Sequence, residues 1–111
     1  MAYSKMYIVV RDSVIKKDPA HARLSVAHAM AAAAELWFND PIYRAWAEKS
    51  FRKVLCRAED SEITLARMHA TEVGIPFKTM TESALDGDDT CVVFRPSCDY
   101  PGYFKKLGLW Q

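Results

Sequence analysis

Met6-Tyr7-Ile8-Val9-Val10 is an unbroken apolar run, and Asp18-Pro19 later opens an alanine-rich stretch, Ala20 to Phe38, without glycine or proline. The first reads as a strand covered on both faces, because a strand with one face in water alternates apolar with polar. The second reads as a long helix. An aspartate cap precedes a proline whose fixed φ and missing N–H suit the first helical position. A covered strand followed by a long helix is the start of a layered α/β arrangement, and the rest of the chain continues it.

Between the two, Arg11 and Asp12 lead into a basic loop with Lys16 and Lys17. Along the helix, Leu24, Ala27, Ala31 and Ala34 fall on one narrow stripe at about 100° per residue, and small side chains there predict close seating on a sheet. Asn39-Asp40-Pro41 repeats the cap-and-proline signal and opens a shorter helix, Ile42 to Lys49, with Tyr43 and Trp46. Phe51 to Arg57 predicts a second strand. Asp60 and Ser61 cap a third helix that runs to Val73 and stops at Gly74. Ile75 to Met80 predicts a third strand, at an edge because Pro76 cannot donate to a ladder. Leu85-Asp86-Gly87-Asp88-Asp89 reads as a turn and Thr90 to Arg95 as a central fourth strand. Pro101 to Leu107 makes a short helix ended by Gly108, with Leu109-Trp110 packing back. The order β-α-α-β-α-β-β-α predicts a three-layer α/β sandwich, a single domain over residues 1–111.

The composition, 50% hydrophobic and 26% charged with four glycines and five prolines, excludes disordered and collagen-like chains. Fifteen Lys and Arg against fourteen Asp and Glu leave a charge of +1, so any RNA contact is short and local rather than a long basic track. Cys56, Cys91 and Cys98 are scattered and contain no C-x-x-C pair. They make a poor disulfide framework and a poor zinc site, and predict idle or buried thiols in a cytoplasmic, reducing setting. Met1 to Lys5 leads into an apolar run too short for a signal peptide or a membrane span, so no membrane partner is expected.

Three groups of residues could carry chemistry. His21, Ser25 and His28 lie within roughly 60° of one another around the long helix, and Glu35 continues their stripe. Histidine and serine on one face suit acid–base work or phosphate binding, or are ordinary polar residues beside a packed face. Two histidines seven apart, with no third ligand, are no metal signature. Glu82, in the loop Lys78-Thr79-Met80-Thr81-Glu82-Ser83, is a general-base candidate or a solvated carboxylate. Arg11, Lys16, Lys17, Arg52, Lys53, Arg95, Lys105 and Lys106 occur with Tyr7, Tyr100 and Tyr103 and could hold an RNA backbone if strand ends converge; otherwise they are surface charge. A phosphate-cradling glycine loop and a G-x-S-x-G elbow are both missing from the sequence.

From Met6 to Trp110 the chain resembles the type 2 peptidyl-tRNA hydrolases, and is most similar to their divergent peptidyl-tRNA hydrolase domain-containing subgroup. Tyr7-Ile8-Val9-Val10-Arg11-Asp12 matches the family's opening strand, which ends in arginine before an acidic residue. His21, Ser25 and His28-Ala29 stand where the family's first helix carries Gly-Lys, Gln and His-Ala. Thr90-Cys91-Val92-Val93-Phe94-Arg95-Pro96 matches its last strand, and Tyr103-Phe104-Lys105-Lys106 the subgroup's final helix. The family's Asp-Ala-Gly-x-Thr-Gln loop falls at Lys78 to Ser83, where Glu82 supplies the carboxylate.

The resemblance implies a mixed four-stranded sheet with helices on both faces, and hydrolysis of the ester joining a peptide or N-blocked amino acid to the tRNA 3′ end. No cofactor is expected, and the residue spacing predicts no metal. The resemblance places Glu82 or His21 as the base that activates water, His28 and Ser25 positioning it, and Lys16, Lys17 and Arg95 on phosphates. The site would lie at the sheet edge between the first helix and the loop before Thr90. Two alternatives stay open: a binding module for RNA or another protein, and a small-molecule hydrolase or transferase in the same cleft. Leu109 and Trp110, if exposed, would form a homodimer patch.

Overall fold

The apolar run Met6–Val10 lies at the centre of the computed structural model, which describes residues 3–85 and 87–111. It belongs to β1 (Lys5–Arg11), which pairs in parallel with β2 (Arg52–Ala58) and antiparallel with β4 (Asp88–Phe94). β3 (Phe77–Glu82) adds to β4 at one edge, with a register shift between Met80 and Thr81. β5 (Gly108–Leu109) adds antiparallel to β2 at the other, giving the order β3-β4-β1-β2-β5. Both faces are covered. Met6, Ile8 and Val10 meet α1 (Asp12–Lys17), α2 (Pro19–Trp37) and α3 (Pro41–Glu48). Tyr7 and Val9 meet α4 (Asp60–Glu72) and a 3₁₀ helix at Gly102–Lys106.

The α/β sandwich read from the sequence is therefore present, with four differences. The basic loop is a helix, α1, because Val14 and Ile15 turn down into the core while Asp12 pairs with Lys16 one turn on. The sheet has a fifth strand: Gly108 and Leu109 pair with Arg57 and Cys56, and Trp110 N–H donates to Leu55 O at 3.0 Å. Trp110 is half-buried against the core, and Leu109 is 58% exposed. α4 is capped by Glu59, reciprocally with Glu62, and not by Asp60 and Ser61. Asp60 is the first residue inside the helix, where its carboxylate takes Arg11. Asp86, in the expected turn, lies outside the described residues.

The fourth difference concerns α2. The stripe Leu24, Ala27, Ala31, Ala34 faces solvent, and the buried stripe is Ala22, Ser25, Ala29, Ala33 and Trp37. Alanine on nearly every side leaves the helix without a strong apolar direction, so the partners of its few distinctive residues decide. Trp37 enters the core, and Ser25 is carried in with it because its hydroxyl donates to Ala22 O at 2.7 Å. At the end of α3, Phe51 takes φ 51° and its N–H donates to Trp46 O at 2.8 Å, turning the chain into β2.

Candidate active site

The parallel strands β1 and β2 finish together at Arg11 and Ala58, and antiparallel β4 begins there, so the β3–β4 hairpin closes at the same end. α1 leaves from this end and α2 starts back from it. In open α/β sheets ligands gather outside the carboxyl ends of parallel strands. Topology thus brings Lys16, Lys17, His21 and Glu82 to one end of the molecule.

His21 is held there by Asp18. The Asp18 carboxylate caps α2 by accepting the His21 backbone N–H at 3.1 Å, and its other oxygen lies 2.6 Å from His21 Nδ1. The backbone N–H and then the imidazole hold the Asp18 carboxyl below the usual carboxylate range, so at neutral pH it accepts only. In the neutral imidazole Nδ1 therefore carries the proton and Nε2 the lone pair, on a side chain about a third exposed. A carboxylate that fixes the tautomer of a neighbouring imidazole is the arrangement that makes histidine a directed base.

Glu82, expected in a loop, is instead the last residue of β3, because the ladder with β4 continues past the register shift to pair it with Asp88, and it is half-buried. Gly87 N–H donates to Glu82 O at 3.0 Å, and Gly87 takes φ 75° to complete the turn. Ser25 is 2% exposed. Besides its hydroxyl bond within the helix, its carbonyl accepts Cys91 Sγ–H at 3.5 Å, which seats α2 on β4. His28 lies two turns along α2, on its exposed side. Arg95 is at the far end of β4, paired with Asp40 at 3.2 Å. The structure does not bring Arg95 together with Lys16 and Lys17.

A charged cluster absent from the sequence reading lies on the α4 face of the same sheet end. Arg11 forks onto Asp60 at 2.6 and 2.9 Å and reaches Asp89 O at 3.4 Å. Arg67 stands 3.2 Å from Thr79 Oγ1 and 3.9 Å from an Asp89 oxygen. Arg11, Asp60, Arg67 and Asp89 line a cavity of about 390 Å³ with Thr90, whose buried hydroxyl donates to Met80 O at 3.3 Å. On the α1 side, Asp12 is paired with both Arg57 and Lys16. Each of these contacts joins separate elements, apart from Lys16–Asp12, and only strand register assembles them. The one cue in sequence was an arginine ending a strand and an acid opening a helix after a parallel neighbour.

Among the described residues, no three His, Cys, Asp or Glu side chains converge in a way that could hold a metal ion. The three cysteines are unbridged; burial pushes the Cys56 and Cys91 thiols up to about 11, so neither is a nucleophile at neutral pH. No described helix is long and apolar enough to cross a membrane.

Compared with known proteins, residues 4–100 match the model of a family described as peptidyl-tRNA hydrolase PTH2. No curated protein matches the chain.

Proposed function

The chain belongs to the peptidyl-tRNA hydrolase PTH2 family, and from that premise we propose that it cleaves the ester between a peptide or N-blocked amino acid and the tRNA 3′ end, with His21 as the base. The Asp18–His21 pair at the end of the sheet carries this reading. Nε2 takes a proton from a water as that water attacks the ester carbonyl carbon. The tetrahedral intermediate collapses, the bond to the ribose oxygen breaks, and the imidazolium returns the proton to that oxygen. Glu82, at the same end, orients the water or takes the base role itself. Lys16 and Lys17 meet phosphates of the acceptor end. Ser25 supports the site by seating the first turns of α2, and His28 and Arg95 stand outside it.

Single-turnover hydrolysis of an N-blocked aminoacyl-tRNA, with protein in excess, tests the assignment. His21→Ala is expected to slow release about 100-fold, within the range general-base catalysis contributes, and Asp18→Asn to slow it less. Full activity in His21→Ala with loss in Glu82→Ala moves the base to Glu82.

One observation favours a second reading, a binding module without turnover. Arg11, Lys16, Arg57 and Arg67 each have a carboxylate within 4.0 Å, so few cations at this end are left for phosphate. Folded wild-type protein that binds tRNA but releases nothing above the uncatalysed rate establishes that reading instead.

A further inference from the structure

Of the basic and aromatic residues picked out in the sequence, Arg52, Lys105, Tyr7 and Tyr100 line a cleft at the opposite end of the sheet, together with Lys5 and Tyr3, which the sequence reading did not single out. Lys5 begins β1, Arg52 begins β2, and the two are partners in the parallel register. Like charges side by side on neighbouring strands repel, yet no described carboxylate lies within ion-pair distance of Lys5, Arg52 or Lys105. With Tyr3, Tyr7 and Ser97 these cations line a cavity of about 320 Å³, within the range of small-ligand sites.

The aromatic lining is of two kinds. Tyr3 is 60% exposed, with the Arg52 guanidinium 4.9 Å from its ring centroid, which makes a stacking platform open to solvent. Tyr7 is only 5% exposed and its ring is packed edge-on against Tyr100 and Phe104, but its hydroxyl makes no hydrogen bond to any described residue. Cations without a described carboxylate partner around an open aromatic ring suit a phosphate with an adjoining planar base.

We propose that this cleft is an RNA-binding site, with phosphates on Lys5, Arg52 and Lys105 and a base against Tyr3. It is separate from the Asp18–His21 site. From Lys5 to Arg11 the strand advances roughly 20 Å at about 3.3 Å per residue. The proposal rests on the cleft alone and stands whether or not the chain cleaves an ester.

The test uses fluorescence anisotropy with a labelled single-stranded RNA of about ten nucleotides and with deacylated tRNA, neither of which carries the ester. Lys5→Gln/Lys105→Gln is expected to weaken binding of both about tenfold at low salt and to flatten the salt slope by about 1.4, the share of two phosphate contacts. Tyr3→Ala is expected to weaken the single-stranded probe about fivefold with the slope unchanged. Affinity and slope unchanged in the double variant overturn the proposal, as does wild-type protein that binds anionic-lipid vesicles and neither RNA. Turnover of an N-blocked aminoacyl ester of adenosine, followed in the same proteins, reports on the ester site separately. The double variant is expected to keep the wild-type rate, and absence of turnover in every protein counts against the hydrolase reading without touching the cleft.

Discussion

Where β1 and β2 finish, Arg11 is tied to Asp60, Arg57 and Lys16 to Asp12, and Arg67 faces Asp89. Where the same strands begin, Lys5 and Arg52 lie side by side with no described carboxylate within ion-pair distance. The first end is arranged by its charges; at the second, Lys5 and Arg52 rest on apolar packing, and the Arg95–Asp40 pair stands apart from them. Trp46 is buried there, tilted between Tyr43 and Phe51, and its Nε1–H donates to Arg52 O at 2.8 Å. Lys53 lies 3.1 Å from the Phe51 ring centroid, so even this cation has an aromatic partner and no described carboxylate within ion-pair distance. The number of charges at a surface therefore says little about ligand binding. What matters is whether those charges are already neutralised by the fold.

The largest effect separating the two ends is expected at Trp46. Trp46→Ala removes the side chain under the start of β2 and leaves a cavity, which typically costs about 3–5 kcal/mol. Urea unfolding should show this loss with little dependence on salt, because no ion pair is involved. A loss below about 1 kcal/mol, or one that varies strongly with salt, would break the contrast and show that packing is not what holds this end.

α2 joins the two ends, starting beside His21 and finishing at Trp37, and it shows best where the sequence stopped being legible. Its existence and both boundaries were readable because Asp18-Pro19 and Asn39-Asp40-Pro41 are local signals. Its buried face was not, because alanine repeats on every side and carries no direction. The distinction is testable. Ala33→Leu is expected to overpack the interface with the sheet and cost about 1–3 kcal/mol, whereas Ala34→Leu, on the exposed side, should stay within about 0.5 kcal/mol of wild type. Equal effects at the two positions would mean that α2 does not seat on the sheet by the Ala22, Ala29, Ala33 stripe.

The same line divides the site residues. His21 was legible as a candidate, and its partner Asp18 was already in view as the helix cap, because the two lie within one turn. Arg11–Asp60 and Lys5–Arg52 were out of reach, since each depends on the parallel register of β1 and β2 and on nothing nearby in the chain. Arg95 shows the cost of reading without that register. It sits in the best-matched strand motif, yet the direction of β4 carries it to the end opposite Lys16 and Lys17, onto Asp40. There the Asp40 carboxyl, raised by burial, is brought below its usual range by the Ile42 and Tyr43 amides and by Arg95.

The smallest effects concern the sign of single charges. Arg11 holds the Asp60 carboxyl below its ordinary value. A folded value below the unfolded one, about 3.9, means stability that is present above that pH and is lost as pH falls through the folded value. Asp12 shifts the same way, held first by Lys16 and then by Arg57. Wild-type stability is therefore expected to be level from about pH 7 to 5 and to fall below about pH 4, and Asp60→Asn to flatten that fall. At pH 7 Asp60→Asn should cost under about 1 kcal/mol, because its side chain is 64% exposed and solvent screens the pair, and still less in about 1 M salt. Lys5→Gln should do the reverse. It relieves repulsion from Arg52 and breaks no ion pair among the described residues, so stability at neutral pH should hold or rise by a few tenths of a kcal/mol. The two substitutions each remove one charge, and urea midpoints that move in opposite directions mark one end as neutralised within the fold and the other as awaiting an anion. Midpoints that fall together would mean that the Lys5 ammonium already has a stabilising partner, and the contrast between the ends would be lost.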